Sequence, residues 1–411
     1  MSAPTSRLAG ISRIEFIALM AGLVAINALA IDIMLPGMQE IGEALGEPDE
    51  NRRQLIVTAY FAGFGLMQLF VGPLSDRFGR KMPLMLGVGV YIAAAVGSLF
   101  VTAFNTLLVL RVIMGAGAAG SRVLTVAMAR DVAGGRQMAE IMSLVMMVFM
   151  IMPIIAPAMG QTLLLIGDWR LIFAFIAVVG LGIGLWAQIR LPETLKPENR
   201  LPFTALAFGQ GFAAVVTNRL SLWYTLAGTF IFSALFGFIN SAQQIYVGIY
   251  GLGVWFPLAF AAVAALISLS SWMNSRLVQR LGMRRVSHAA LFAFIASSTV
   301  MFGLASLGPV PFLAFYGLFA VIMFCFGLIG SNFSAIAMEP LGHVAGMASS
   351  IQGFVQTVFS AVAGAIIGQA FDGTIMPIAA GFLAVSLSAL ACVLIAEKGR
   401  IMNSGLAAPH P

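Results

Sequence analysis

Asp32 and Arg111 each stand inside a long apolar run, where a charge is most expensive. Insertion scales put the cost of a charge at the bilayer centre at about 2.5–3.5 kcal/mol, so each needs a reason. Asp32 lies four residues before Pro36 at the end of the first run, and Arg111 about five residues inside the fourth. At ~1.5 Å per residue both sit roughly 6–8 Å below the same boundary, so they can pair or share a water network. Burial in an apolar cavity favours a protonated carboxyl, and a nearby guanidinium favours the ionised one. A carboxyl whose balance shifts as the cavity opens carries protons. The expectation is that Asp32 takes up a proton outside and releases it inside, with Arg111 tuning it. Two other readings stand beside it. The pair is a static bridge between the first and fourth runs, or Asp32 anchors a cationic substrate group that competes with the proton.

Other polar residues fall in stripes at helical spacing. Thr229, Ser233, Asn240 and Gln244 share a face of the seventh run with Phe236 between them, and Ser349, Gln352, Gln356 and Ser360 share a face of the eleventh. Phe236, Asn240, Gln244, Gln352 and Gln356 are expected to line a substrate cavity, with Tyr60 and Gln68 of the second run. The alternative is hydrogen bonding between helices, worth about 0.6 kcal/mol per contact in one membrane protein. Arg122 and Glu140 read as a structural pair between the fourth and fifth runs. The spans of the second half hold no acid and offer neutral recognition.

These residues need apolar elements to hold them. Of 411 residues 60% are hydrophobic and only 9% charged, against roughly a quarter charged in soluble proteins. That excludes a soluble enzyme, a disordered regulator and a nucleic-acid binder. A bilayer core of about 30 Å takes roughly 20 apolar residues of helix. Twelve such runs occur, near 14–36, 54–74, 83–104, 106–129, 138–163, 169–190, 221–243, 252–273, 286–307, 311–337, 344–370 and 375–396. The runs are continuous rather than alternating, which excludes a β-barrel. Ala28-Leu29-Ala30 has the form of a signal-peptidase site, but the first run is too long for a signal core and eleven more follow, so an uncleaved span is expected. Cys325 and Cys392 lie in apolar runs and read as small hydrophobes.

With the N-terminus inside, all but five of the 22 basic residues are cytoplasmic, from Arg7 and Arg13 through Arg136 to Arg400. Arg52, Arg53 and Arg170 fall outside, and Arg111 and Arg122 within a span. The positive-inside rule therefore places both termini in the cytoplasm. A polar connector at 191–220 divides a six-span unit at 1–190 from a second at 221–411, and its stretch from Phe203 to Val216 is expected to form a short surface helix. DRFGRK, Asp76 to Lys81, and QRLGMRR, Gln279 to Arg285, place Arg77 and Arg280 203 residues apart, about half the chain. The chain thus reads as one six-helix unit duplicated, and two such halves with a site between them are a transporter architecture.

GPLSDRFGRKMPL, Gly72 to Leu84, resembles the signature loop of the major facilitator superfamily, and LLVLRVIMGAGAA around Arg111 resembles its fourth-span motif. The first-span segment AIDIMLPGMQEIGEAL, RDV at Arg130, DWRLIF at Asp168, LPETL at Leu191 and the segment from Met347 to Thr374 are similar to the Bcr/CflA-type drug:proton antiporters. The resemblance implies the major facilitator fold, with 12 transmembrane helices in two pseudo-symmetric six-helix bundles. It also implies that Gly72, Asp76, Arg77, Gly79, Arg80 and Lys81 form a conformational gate, with Asp76 meeting a helix N-terminus of the opposite half. PIIAPAMGQ, Pro153 to Gln161, is similar to the antiporter motif at Pro157 and Gly160 only, and Pro153 and Pro157 are expected to make a helix hinge with Gly160. There is no HExxH, P-loop or Rossmann signature, and His288, His343 and His410 are scattered, so neither an enzyme nor an ATP-driven pump is expected. The reading is a proton-coupled efflux antiporter for small amphipathic compounds such as antibiotics, in a bacterial inner membrane. It is expected to be a monomer without cofactor or metal, with the proton as coupling ion and the bilayer, but no nucleic acid, as partner. The alternative is a proton-driven exporter or importer of one metabolite, an amino acid or sugar derivative.

Overall fold

The structure is a computed structural model that describes residues 11–133, 135–200 and 205–402. Arg7, Phe203 and His410 lie outside the described residues, as do the side chains of Arg136 and His343. Among the described residues 12 helices are long and apolar enough to cross a membrane. They are α1 (Arg13–Asp32), α2 (Leu55–Phe78), α3 (Lys81–Ser98), α4 (Phe104–Val132), α5 (Gly135–Ile166) and α6 (Arg170–Arg190) in the first half. The second half holds α7 (Arg219–Gln243), α8 (Phe256–Leu281), α9 (Met283–Leu307), α10 (Phe312–Met338), α11 (Ala345–Gln369) and α12 (Met376–Ala396). The chain divides into two compact units, Met1–Ala207 and Phe208–Pro411, and the division falls within the polar connector. A further helix, Ala205–Thr217, occupies most of the stretch expected to form the surface helix.

The helix ends follow from local chemistry. Ser12 caps α1 by accepting from the Glu15 amide at 3.1 Å. The first run was expected to continue to residue 36, but α1 stops at Asp32 and a 3-10 turn, Leu35–Gly37, carries Pro36. Pro36 has no N–H to give to the carbonyl four residues earlier, that of Asp32, so the α-helical ladder stops here and Asp32 becomes the last residue of its helix. Gly79 ends α2 with φ +92 and ψ 166, and Gly282 ends α8 with φ +83 and ψ 155. Only glycine takes this backbone without strain. The same device thus closes the corresponding helix of each half, 203 residues apart.

Within each unit the helices meet on small residues, which let backbones approach where lipid gives no hydrophobic drive. A Cβ on Gly63 of α2 would collide with the Val112 carbonyl of α4, and one on Gly115 with the Tyr60 carbonyl of α2. Gly87 of α3 and Gly117 of α4 face each other in the same way. In the second unit Gly364 of α11 lies against the backbone of Phe236 and Gly237 in α7.

Candidate functional site

Asp32 is 5% exposed and has no hydrogen-bond or ion-pair partner among the described residues. Arg111 is fully buried in the same unit, and the expected direct pair is not formed. Arg111 gives Nη2 to the Ala30 carbonyl of α1 at 3.1 Å, Nε to the Ile56 carbonyl of α2 at 3.1 Å and Nη1 to the Met114 sulfur at 3.3 Å. Its guanidinium also lies over the Tyr60 ring, 4.6 Å from the centroid. The fork geometry explains the difference, because one planar cation here satisfies carbonyls on two helices at once. Arg111 therefore ties α1, α2 and α4 together and leaves the Asp32 carboxyl without a fixed counter-charge.

The polar network around this point extends further than the charges. Tyr60 donates to Asn27 Oδ1 at 3.1 Å, Asn27 Nδ2 donates to Ser121, and the Tyr91 hydroxyl donates to the Ile26 carbonyl at 3.2 Å. Asn27, Tyr91 and Ser121 escaped the sequence reading, which weighed charges and passed over the neutral stretch before Asp32. An amide alone in an apolar run was the available signal. Tyr60 is thus engaged in the network rather than presented to a ligand, while Gln68 is buried on α2.

The DRFGRK turn is organised by Arg80. It donates Nη1 to Asp76 and, at 2.7 Å, to Ser75 Oγ, and Nε to Asp131 of α4 at 3.0 Å. Burial alone would lower the Arg80 pKa, but the hydrogen bonds and charges of Asp131 and Asp76 outweigh it and raise it above the ordinary value. Glu193 of the LPETL segment accepts from the amides of Arg80 at 2.8 Å and Lys81 at 3.1 Å, which places an anion on the start of α3. Lys81 Nζ donates to the Gln188 carbonyl at 2.8 Å, and Gly79 leaves room for the Glu193 carboxylate. Gly72 accepts from Ser75 at 2.7 Å, and Arg77 is exposed over the Phe78 ring. Two motifs that are 112 residues apart in the chain therefore form one assembly.

The prolines do not interrupt α5, which runs on through Pro153 and Pro157. Gly160 lies against the Ile33 carbonyl, directly after Asp32. The expected Arg122–Glu140 pair is absent: Glu140 bonds Arg13 at 2.6 Å. The two residues lie at different depths, since Ser121 beside Arg122 bonds Asn27 while Glu140 bonds Arg13 at the start of α1. Arg122 is exposed and has no hydrogen-bond or ion-pair partner among the described residues.

In the second unit Asn240, Gln244, Gln352 and Phe236 are buried, and Gln356 reaches to within 3.1 Å of the space above Gly228. The hydroxyls serve packing: Thr229 bonds the Thr225 carbonyl, and Ser233 and Ser360 both bond the Thr229 carbonyl, each at 2.8 Å. A cluster missed in the sequence surrounds Arg284, which bonds Glu397 at 2.7 Å and Glu339 at 2.9 Å. Tyr224 donates to the same Glu397 at 2.8 Å and contacts His288 Nε2 at 2.9 Å. Among the described residues no group of three His, Cys, Asp or Glu could hold a metal ion.

Known proteins resemble the chain along most of its length. It is 31% identical over 370 residues to a bicyclomycin resistance protein homolog of Haemophilus influenzae, covering 88% of this chain and 91% of that protein. A chloramphenicol resistance protein of Pseudomonas aeruginosa is 27% identical, over 83% of this chain and 79% of its own. The crystal structure of a D-xylose-proton symporter shares the fold at a TM-score of 0.72 and 13% identity, covering 96% of this chain and 99% of its own. The Bcr/CflA-type likeness is thereby shown, and the chain is a membrane transporter rather than an enzyme in the usual sense. Residues 20–368 match the Major Facilitator Superfamily, and the chain belongs to that family.

Proposed function

We propose that this transporter is a proton-coupled antiporter that exports small amphipathic, antibiotic-like compounds across the bacterial inner membrane by alternating access. The carrying observation is Asp32, an intramembrane carboxyl that is buried and has no hydrogen-bond or ion-pair partner among the described residues. Such a group is functional by default, because its cost is not offset by a bridge. With no resident counter-charge it can gain and lose a proton as its access to water changes. Arg111 acts here through position, since it holds the backbone of α1 next to the carboxyl. The names of the relatives support a drug as cargo. The potential contributes about 2.3 kcal/mol per charge per 100 mV, enough to drive uphill export with few protons.

The neutral residues of the second unit, Asn240, Gln244, Gln352, Gln356 and Phe236, suit recognition by shape and hydrogen bonding rather than by fixed charge. Gln68 supplies the same on α2, while Tyr60 supports the site from within the Asn27–Arg111 network. Asp76, Arg77, Arg80 and Lys81, with Gly72 and Gly79, are the gate in this reading, and α5 with Pro153, Pro157 and Gly160 is the hinge. The experiment is transport by the purified protein in proteoliposomes with an imposed pH gradient. Addition of chloramphenicol or bicyclomycin is expected to release protons from acid-loaded vesicles, and an uncoupler to abolish drug movement. Drug movement that ignores the pH gradient would refute antiport.

A further inference from the structure

Arg122 is the one intramembrane cation of the first unit whose donors are uncommitted among the described residues. Arg111 spends its fork on two carbonyls and a sulfur, whereas Arg122 has no partner and remains exposed. Its depth is set by its neighbour: Ser121 bonds Asn27, fourteen residues along α1 from Arg13. At ~1.5 Å per residue Arg122 therefore lies roughly 15 Å from the Val132 end of α4, in mid-membrane.

Its direction follows from helical geometry. At about 100° per residue, Arg122 falls on the row of Arg111, Gly115 and Ala118. That row packs on α1 and α2, through the Ala30, Ile56 and Tyr60 carbonyls. The exposed stripe of the outer half of α4, Asn105, Val109, Val112 and Ile113, points well away from it. An exposed guanidinium on the inward row at this depth must open to a watered recess rather than to lipid, where its cost would be prohibitive. Among the described residues the unit offers it no carboxylate: Glu140 bonds Arg13, Asp131 bonds Arg80, and Asp32 is buried further along α1.

We propose that Arg122 binds an acidic group of the substrate, so that the cargo includes amphipathic carboxylates held by the planar fork. A guanidinium matches a carboxylate through two parallel hydrogen bonds, and in a recess of low dielectric such a pair is strong. The inference deepens the export reading, on which it rests only for the direction of movement.

The test is direct binding to the full-length protein in nanodiscs, with radiolabelled 1-naphthylacetate and the neutral 1-naphthylacetamide as probes. Wild type is expected to bind the acetate at least about tenfold tighter than the amide. Arg122→Gln is expected to bring the two within about twofold with amide affinity unchanged, and Arg122→Lys to fall between, since it keeps the charge and loses the fork. Equal affinities in wild type, or a preference that survives Arg122→Gln, would overturn the proposal. If the Gln variant does not fold, Arg122→Lys together with competition on wild type by benzoate against benzamide decides the same point. Failure of proton-coupled export in proteoliposomes, with the acetate preference intact, would overturn antiport alone.

Discussion

Arg111 donates Nη2 to the main-chain carbonyl of Ala30, two residues before Asp32, and not to the Asp32 carboxylate. The consequence is a division of labour between the two intramembrane charges. The cation is a fixed clamp on three helices, and the anion is left free of any fixed bridge. A static bridge between α1 and α4 would have locked both, and it is the reading that the geometry disfavours.

The clamp predicts a stability loss on Arg111→Lys. An ammonium on a flexible stem cannot reproduce the fork that reaches Ala30 and Ile56 together. At least one buried carbonyl then loses its donor, at about 1–3 kcal/mol. Thermal unfolding of the purified protein should show the loss, and a melting temperature equal to wild type would rule out the clamp.

Asp32→Asn separates coupling from folding. The side chain has no partner among the described residues to lose, so the variant is expected to insert and melt like wild type. Export driven by the pH gradient is expected to fall to background, and residual movement to lose its dependence on pH. In wild type export rises as the outside becomes more acidic, because protons then enter down a steeper gradient. Full gradient-driven export by Asp32→Asn would exclude the carboxyl as the coupling site.

The spans and the duplication were legible because they rest on run length and repeated motifs. DRFGRK and QRLGMRR already carried Gly79 and Gly282, whose matching backbone angles the structure adds. Side-chain pairing was less legible because it depends on direction about the helix axis, which sequence gives only loosely. Arg122 and Glu140 lie at different depths, because Ser121 beside Arg122 meets Asn27 in the middle of α1 whereas Glu140 meets Arg13 at its start. Glu193 reaches Arg80 across a long sequence separation that no local spacing encodes. Asn27 and Ser121 carry no charge and so raised no alarm, although their hydrogen bond fixes the level of α4 against α1.

The gate turn predicts two separable defects. Glu193→Gln leaves one acceptor oxygen where the carboxylate gives one to each of the Arg80 and Lys81 amides, and removes the negative charge at the start of α3, a charge effect of about 0.3–1 kcal/mol at an exposed site. Asp76→Ala removes one of two carboxylates on Arg80, leaving Asp131 to hold it. The protein is expected to insert normally in both cases, with turnover reduced more by Asp76→Ala. Transport rates normalised to protein in the membrane check this, and normal turnover in Asp76→Ala would dismiss the gate.

Gly160→Val tests whether the position of Asp32 depends on α5. A side chain at Gly160 meets the Ile33 carbonyl, which is backbone and cannot rotate away. The α1–α5 seam must therefore open, at about 1–3 kcal/mol by the usual cost of overpacking. The displaced segment is the end of α1 that carries Asp32, so coupling should suffer beyond the loss of stability. The expected signature is a lower melting temperature together with fewer protons released per drug molecule moved. Gly22 on the same helix meets only the Ile183 side chain at 3.5 Å, so Gly22→Ala serves as the control and should leave both readings unchanged. A Gly160→Val protein that melts lower yet keeps its proton-to-drug ratio would show that the seam supports the fold without setting the carboxyl.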